Sequence, residues 1–493
     1  MSLIHRTRLA GMLALGVASS AMTLAHADVG DYSAFQTRLN QSFPKTADRP
    51  ITAADKKLIP LAINSNPAGF DDGFDPKAYD QWQEVKLDPS TGAKCGDGSP
   101  FSFWVNRRAS TSNLMVFLEG GGACWDYDSC SSTLASGNTL GNVLKASSNK
   151  DTSAVIATSG LSNTDKSALI PIYSALLKDS SPDLDNKVMG WNKVFVPYCT
   201  GDVHAGLSTH VYTDPAGIKP PVTIYHNGII NSLQVAAWVR NNLQAPQQLM
   251  FTGQSAGGVG ATALYHAVRL LFPVKQGFML NDAGPSFFAD QNGSDAANPS
   301  APLHRTALPI WGLTEKRQLA DGSFRSLLDW YKVELTGLDV SNFGTLNIAT
   351  ANRWPKDRLS MTTTQEDYVF GTYSYRRFFA DTQGNDPEVR KANTLARWKI
   401  DIDRFTDKMQ PVPNYGFYIP ATRRWLYGHT MTSNVGRTAD IQELGLDMND
   451  YLNNLTDPTA PLMKAKEKNF TADRYQFSLT SEATVLLLTS IGF

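Results

Sequence analysis

The stretch Leu249-Met250-Phe251-Thr252-Gly253-Gln254-Ser255-Ala256-Gly257-Gly258-Val259-Gly260 constrains this chain's fold more than any other. It opens as an apolar run of strand length, passes through G-x-S-x-G, and continues into small residues that read as a helix. A serine at the tip of such a turn sits on a sharp strand-to-helix bend, which aims its hydroxyl outward. Gly253 and Gly257 leave room for neighbouring backbone. The amide of Ala256 falls at a helix N-terminus, where it can donate to developing negative charge. The same five residues also occur as an ordinary Gly-Ser turn. The strand before, the helix after and a glycine-rich loop upstream favour a nucleophile.

Further runs of strand length lie at 82–87, 101–106, 113–118, 194–197, 277–280, 358–363 and 415–419. Helical patterns cover 168–177, 225–243 and the segment from Ser255 to Pro273. This alternation predicts an α/β fold with a mostly parallel central sheet and helices on both faces. After Asn113 the run 113–118 is continuously apolar, as a central parallel strand should be, and it delivers Glu119-Gly120-Gly121-Gly122-Ala123-Cys124-Trp125. Glycines directly after a strand and upstream of the nucleophile are where an α/β-hydrolase fold places the other half of its oxyanion hole. Gly121, Gly122 and Ala256 are therefore the expected donors, and Trp125 is a candidate cleft residue. The expected organisation is an N-terminal extension at 28–80 and a catalytic domain at 81–493, with cap-like insertions near 131–187 and 285–355.

Charge narrows the partners. With 45 basic against 46 acidic residues and no basic stripe, nothing suggests nucleic acid. Arg6 and Arg8, the apolar run 9–24 and Ala25-His26-Ala27 together read as a signal peptide over 1–27. Export to the periplasm or beyond is the expectation. No later run reaches the ~18 apolar residues of a membrane span, so no integral membrane segment is expected in the mature chain. The four cysteines suit an oxidising compartment. Cys124 and Cys130 are close in sequence and are paired here, which leaves Cys95 with Cys199. A zinc site is disfavoured, because there is no C-x-x-C pair.

Three blocks together resemble the pectin acetylesterase/Notum family of α/β-hydrolases. They are Leu118-Glu119-Gly120-Gly121-Gly122-Ala123-Cys124-Trp125, Pro197-Tyr198-Cys199-Thr200-Gly201-Asp202-Val203-His204-Ala205-Gly206 and Gly253-Gln254-Ser255-Ala256-Gly257-Gly258. Cys95-Gly96-Asp97-Gly98-Ser99-Pro100, Asn281-Asp282-Ala283-Gly284 and Gly428-His429-Thr430 extend the likeness over roughly 80–435. The resemblance implies carboxylester hydrolysis outside the cytoplasm by a Ser-Asp-His triad, without metal or organic cofactor. Members of the family deacetylate pectin in plants and bacteria, or remove a fatty acyl group from a secreted signalling protein in animals. The segments 131–187 and 285–355 do not match the family's shorter connections, and they are the parts that would shape substrate choice.

A serine hydroxyl needs a base with a pKa near the working pH, and histidine is the expected one. In α/β-hydrolases the acid and then the histidine follow the serine. His204, His210 and His226 precede Ser255, and His266 follows too closely to leave room for the acid. Of His304 and His429, the latter lies after the last strand, where the family also has its histidine. His304, next to Pro302, reads as a surface residue. Asp282, Asp367 and Glu366 are the candidate acids, and the family's acid position selects Asp367. Asp282 and Asp202 remain as alternative acids or cleft residues. The expected function is thus a serine carboxylesterase, with O-acetyl groups on a polysaccharide such as pectin as the first substrate. Other acyl esters or polyesters are an alternative substrate class. A non-catalytic carbohydrate- or partner-binding protein is an alternative of another kind.

Overall fold

The computed structural model describes residues 74–135, 170, 174–181, 184–314, 317–318, 324–421, 428–432 and 440–468. The expected signal peptide, residues 28–73 of the extension and most of the 131–187 insertion lie outside them. In chain order the elements are β1 (Trp82–Lys86), β2 (Ser102–Asn106), β3 (Leu114–Leu118), α1 (Tyr127–Ala135), β4 (Asn192–Val196), β5 (Ser208–Tyr212), β6 (Val222–His226), α2 (Gly228–Asn242), β7 (Gln248–Gln254) and α3 (Ala256–Leu271). They continue with β8 (Gln276–Asp282), α4 (Ala301–Ile310), β9 (Arg317–Gln318), β10 (Phe324–Arg325), α5 (Leu327–Glu334), α6 (Thr345–Arg353), β11 (Arg358–Thr362) and α7 (Tyr368–Tyr375). The last are α8 (Pro387–Met409), β12 (Tyr415–Ile419), α9 (Met448–Thr456) and β13 (Lys464–Lys466).

One sheet runs β1-β2-β4-β3-β7-β8-β11-β12-β13. From β4 to β13 every pairing is parallel, and β1 and β2 form an antiparallel edge. The central strands are apolar throughout because both faces are covered. Alternate residues serve opposite layers. Val116, Leu118, Leu249, Phe251, Met279, Leu359 and Met361 join the core under α2 and α3. Met115, Phe117, Met250, Phe278 and Leu280 join the core under α9, with Met448, Tyr451 and Leu455. The chain is an α/β protein with a mostly parallel sheet between helical layers, as the alternation of strands and helices predicts.

Two expected elements differ. Helix was expected from 225 to 243, yet Tyr225 lies in β6, paired with Thr209 in a hairpin, and the helix starts at Gly228. The run Val-Thr-Ile-Tyr at 222–225 is rich in residues that suit a pleated surface, which outweighs the helical pattern. Helix was also expected over 168–177. Ser174 instead caps a separate 3-10 turn, Ala175–Leu177, by accepting from the Leu176 amide. The hairpin β5–β6, the long α8 and the edge strand β13 were not anticipated.

The described part of the 285–355 segment holds α4, β9, β10, α5 and α6. It lies over α3, where Tyr331 Oη donates to Ala263 O at 2.7 Å. Both expected disulfides form, Cys95–Cys199 across 104 residues and Cys124–Cys130 across 6. Among the described residues, no helix is long and apolar enough to cross a membrane.

Candidate active site

Parallel strands end at one edge of a sheet, and that edge collects the candidate residues. Ser255 follows β7, Asp282 ends β8, Asp367 follows β11 and His429 follows β12. Ser255 takes φ 53°, ψ −118° between β7 and α3. A non-glycine residue held there is strained, and its neighbours must hold it. They do so by close approach. A Cβ on Gly253 would fall 2.4 Å from Gly257 O, and one on Gly257 would fall 2.1 Å from Leu118 O. The Ser255 amide donates to Asp282 O at 2.7 Å, and Ser255 O accepts from the Val259 amide as α3 begins. Ala256 is the first residue of α3, so its amide is among the helix's N-terminal donors.

The glycine loop after β3 is held from several sides. The Glu119 amide donates to Val196 O. Glu119 Oε2 accepts from the Tyr198 amide at 2.7 Å, and Glu119 O meets His204 Nε2 at 2.8 Å. The Cys124 amide donates to Gly201 O, and Cys124 O accepts from Trp311 Nε1 at 2.8 Å. Gly122, at φ 75°, lines the cavity in front of Ser255. Gly121, at φ 145°, is buried against Tyr198 and does not line it.

Asp367 is fully buried. It caps α7 by accepting from the Phe370 amide at 2.9 Å through Oδ1. Its other oxygen accepts from Thr363 Oγ1 at 3.2 Å and meets His429 Nδ1 at 2.8 Å. A helix N-terminus suits an anionic oxygen. The imidazole is 2 % exposed. Its ring lies 6.4 Å from that of Phe370, which lines the same cavity as Ser255.

Asp282 fixes the loop that carries this histidine. Its carboxylate accepts from the Met431 amide at 2.6 Å, and from the Thr432 amide and hydroxyl at 2.7 Å each. Gln254 Nε2, next to the serine, donates to the same Thr432 hydroxyl at 3.3 Å. Thr432 O also accepts from the Ala175 amide, so the described end of the 131–187 segment braces this loop and does not line the cavity. Burial lifts the Glu366 carboxyl above the usual carboxylate range; the oxygen on His429 Nδ1 is that of Asp367.

Asp202 is not at the cleft. It is fully buried and accepts from Thr200 Oγ1 at 2.6 Å and from the Gly228 amide that starts α2 at 2.8 Å. Burial pushes its carboxyl up to about 6. His226 and His266 are buried too, and desolvation holds both near 3. His304, expected at the surface, instead lines the cavity, and burial lowers it to about 4. Pro302 misled the reading. It stands in the first turn of α4, where a proline costs no hydrogen bond, so it marks a helix start and not a loop.

The cavity has two walls. Gly122, Ala123, Trp125 and Ala256 lie on the elbow side; Leu308, Trp311, Phe343, Phe370 and their neighbours complete it. Ser286, Ser300 and Ser374 also line it, and no sequence signal singled them out. A strained serine at a strand-to-helix elbow, with an acid-bound histidine delivered from later strands of the same sheet, defines the α/β-hydrolase class.

Comparison with known proteins narrows this. Residues 77–315 match the family model Pectinacetylesterase. The palmitoleoyl-protein carboxylesterase NOTUM of Mus musculus is 26 % identical over 171 residues, 35 % of this chain and 28 % of the mouse protein. That of Schmidtea mediterranea is 24 % identical over 189 residues, 37 % of this chain and 30 % of the relative. The structure of the Wnt deacylase Notum from Drosophila aligns with TM-score 0.49 at 16 % identity, covering 79 % of this chain and 97 % of that one. The chain is similar to the pectin acetylesterase/Notum family over this matched part. It spans under a third of the length of the curated relatives it matches.

Proposed function

We propose that this protein is an exported carboxylic ester hydrolase that works through an acyl-enzyme on Ser255. His429 takes the serine proton as the hydroxyl attacks the ester carbonyl. Asp367 orients the imidazole through Nδ1 and offsets the positive charge that develops on it. The amides of Ala256 and Gly122 receive the oxyanion, with Gly121 supporting the loop. His429 then protonates the leaving alcohol, and water releases the acid by the reverse route. No metal or organic cofactor enters these steps. The observation that supports this reading best is the strained elbow at Ser255, opening on a cavity lined by Phe370, whose ring lies 6.4 Å from an imidazole bound at 2.8 Å to a buried carboxylate. Export rests on the signal-like segment 1–27 and on the two disulfides.

The cavity lining favours an acyl group longer than acetyl, because Leu308, Trp311, Phe343 and Phe370 offer an apolar surface that a two-carbon group would leave largely uncovered. The relatives named for palmitoleoyl esters agree with that chemistry. Deacetylation of a polysaccharide such as pectin is the second reading, favoured by the family model matched at 77–315. Competition in one assay separates them: acetylated pectin against a series of ethyl esters from acetate to decanoate. The first reading expects kcat/KM to rise with acyl length beyond acetate and Ser255→Ala to abolish turnover. Faster release of acetate from pectin than of any longer acid would reverse the order of the two.

A further inference from the structure

One part of the cavity is polar without being paired. Ser286 Oγ, Ser374 Oγ and His304 Nδ1 are shielded from solvent and have no hydrogen-bond partner among the described residues. Ser286 is 2 % exposed and Ser374 1 %. All three residues line the cavity that Ser255 opens on. Hydroxyls on the same helices show the ordinary alternative. Thr372 turns its hydroxyl back to Tyr368 O at 2.7 Å, and Thr306 turns its own to Pro302 O at 2.9 Å. Ser374 does neither, although a mid-helix serine commonly does.

The helices that carry His304 and Ser374 are joined through one buried carboxylate. Ser300 caps the turn that leads to His304, whose amide donates to Ser300 O. The Ser300 hydroxyl donates to Asp401 Oδ2 at 2.6 Å. Tyr375, the neighbour of Ser374, donates to that same oxygen at 2.9 Å. Asp401, in α8, therefore ties the start of α4, which carries His304, to α7, which carries Ser374. A plain alkyl chain seated in the cavity would leave two hydroxyls and a ring nitrogen dry and unpaired, which disfavours it. Alanine and leucine at these positions would serve such a chain better.

We propose that this wall selects an acyl group that carries its own hydroxyl, so that the preferred substrates are esters of hydroxy acids. The proposal rests on the ester-hydrolase reading and specifies its substrate class. A hydroxyl fits the set because it donates and accepts at once. It can donate to His304 Nδ1 and accept from the Ser286 or Ser374 hydroxyl. A carboxylate would meet Asp401 behind Ser300, and an ammonium has no lone pair with which to accept from the serine hydroxyls.

The test compares ethyl hexanoate with ethyl 3-, 5- and 6-hydroxyhexanoate on the full-length protein by pH-stat. The expected result is a kcat/KM at least about tenfold higher for one hydroxy isomer than for hexanoate. Ser374→Ala, Ser286→Ala and His304→Leu each shrink that ratio, and the His304→Leu/Ser374→Ala double variant brings it to about one. Circular dichroism and melting curves accompany each variant, and the two serine variants carry the test if the double variant does not fold. A native ratio near one at every position, or a ratio that all these variants leave intact, overturns the proposal. Calorimetry of hexanamide and the three hydroxyhexanamides on Ser255→Ala keeps the two readings distinct. Turnover of all four esters without preference defeats the wall and spares the hydrolase. Preferential binding of a hydroxyhexanamide without turnover by the native protein defeats the hydrolase and spares the wall.

Discussion

The two walls of the cavity are built in opposite ways. The elbow wall stands on strained backbone. Ser255, Ala283 and Thr430 all take positive φ, at 53°, 56° and 54°, within a few residues of the candidate groups. Glycines admit neighbouring backbone where no Cβ would fit. The facing wall uses ordinary helices, α4 and α7, in which no non-glycine residue has positive φ. Its character comes from side chains: Leu308 and Phe370 for apolar surface, His304 and Ser374 for polarity. Chemistry that must aim atoms is placed on backbone that cannot relax, whereas selectivity sits where one substitution changes one contact.

That contrast breaks down first if the walls respond alike. Ser255→Ala should lower kcat by roughly 10⁴- to 10⁶-fold on every ester. Leu308→Ala or Phe343→Ala should instead shift the preference between short and long acyl groups, by about 10- to 100-fold. Steady-state rates across an ester series decide this, and a uniform loss from the facing wall would erase the distinction.

The two acids on the elbow side sharpen it next. Asp367→Asn should cost roughly 10⁴-fold in kcat by misdirecting the imidazole. Asp282→Ala should act mainly on stability, because the Met431 and Thr432 donors lose their carboxylate, at about 3 kcal/mol or more. Urea titration beside kinetics separates the roles. The disulfides that flank the glycine loop should rank by loop length. Removing Cys95–Cys199 should cost about 4–5 kcal/mol and removing Cys124–Cys130 about 2 kcal/mol in the chain-entropy model.

The last effect concerns the facing wall alone. Burial raises the Asp401 carboxyl to about 6 from its ordinary 3.8. The folded state thus holds this proton where the unfolded state has lost it. The associated stability is complete below pH ~4 and is lost as pH rises through about 6. Asp401→Asn should therefore gain on the native protein by roughly 2–3 kcal/mol between pH 4 and pH 7, at about 1.4 kcal/mol per pKa unit. Denaturation midpoints at the two pH values measure the difference. A gain in the opposite direction would mean that Asp401 is ionised on folding.

The elbow wall was the legible one. G-x-S-x-G after an apolar run, the triple glycine after another and the cysteine spacing each carry a backbone requirement that local sequence expresses. The alternation of strands and helices carried the sheet for the same reason. Asp282 was legible only as an alternative acid or cleft residue, and its hold on the His429 loop emerges from its hydrogen bonds. The facing wall was not legible. Ser286, Ser300 and Ser374 are common residues whose meaning lies in what they fail to pair with, and only packing reveals that. His304 was placed at the surface because Pro302 suggested a loop, and Tyr225 was assigned to a helix that begins three residues later.

The central claim is that Ser255 is a nucleophile activated through His429 and Asp367. Labelling with a fluorophosphonate, followed by peptide mapping, tests it most directly. The account predicts a single adduct on Ser255, formed at least 10²-fold more slowly in the His429→Ala and Asp367→Asn proteins. An adduct on another residue, or labelling of Ser255 at an unchanged rate in both variants, would contradict it.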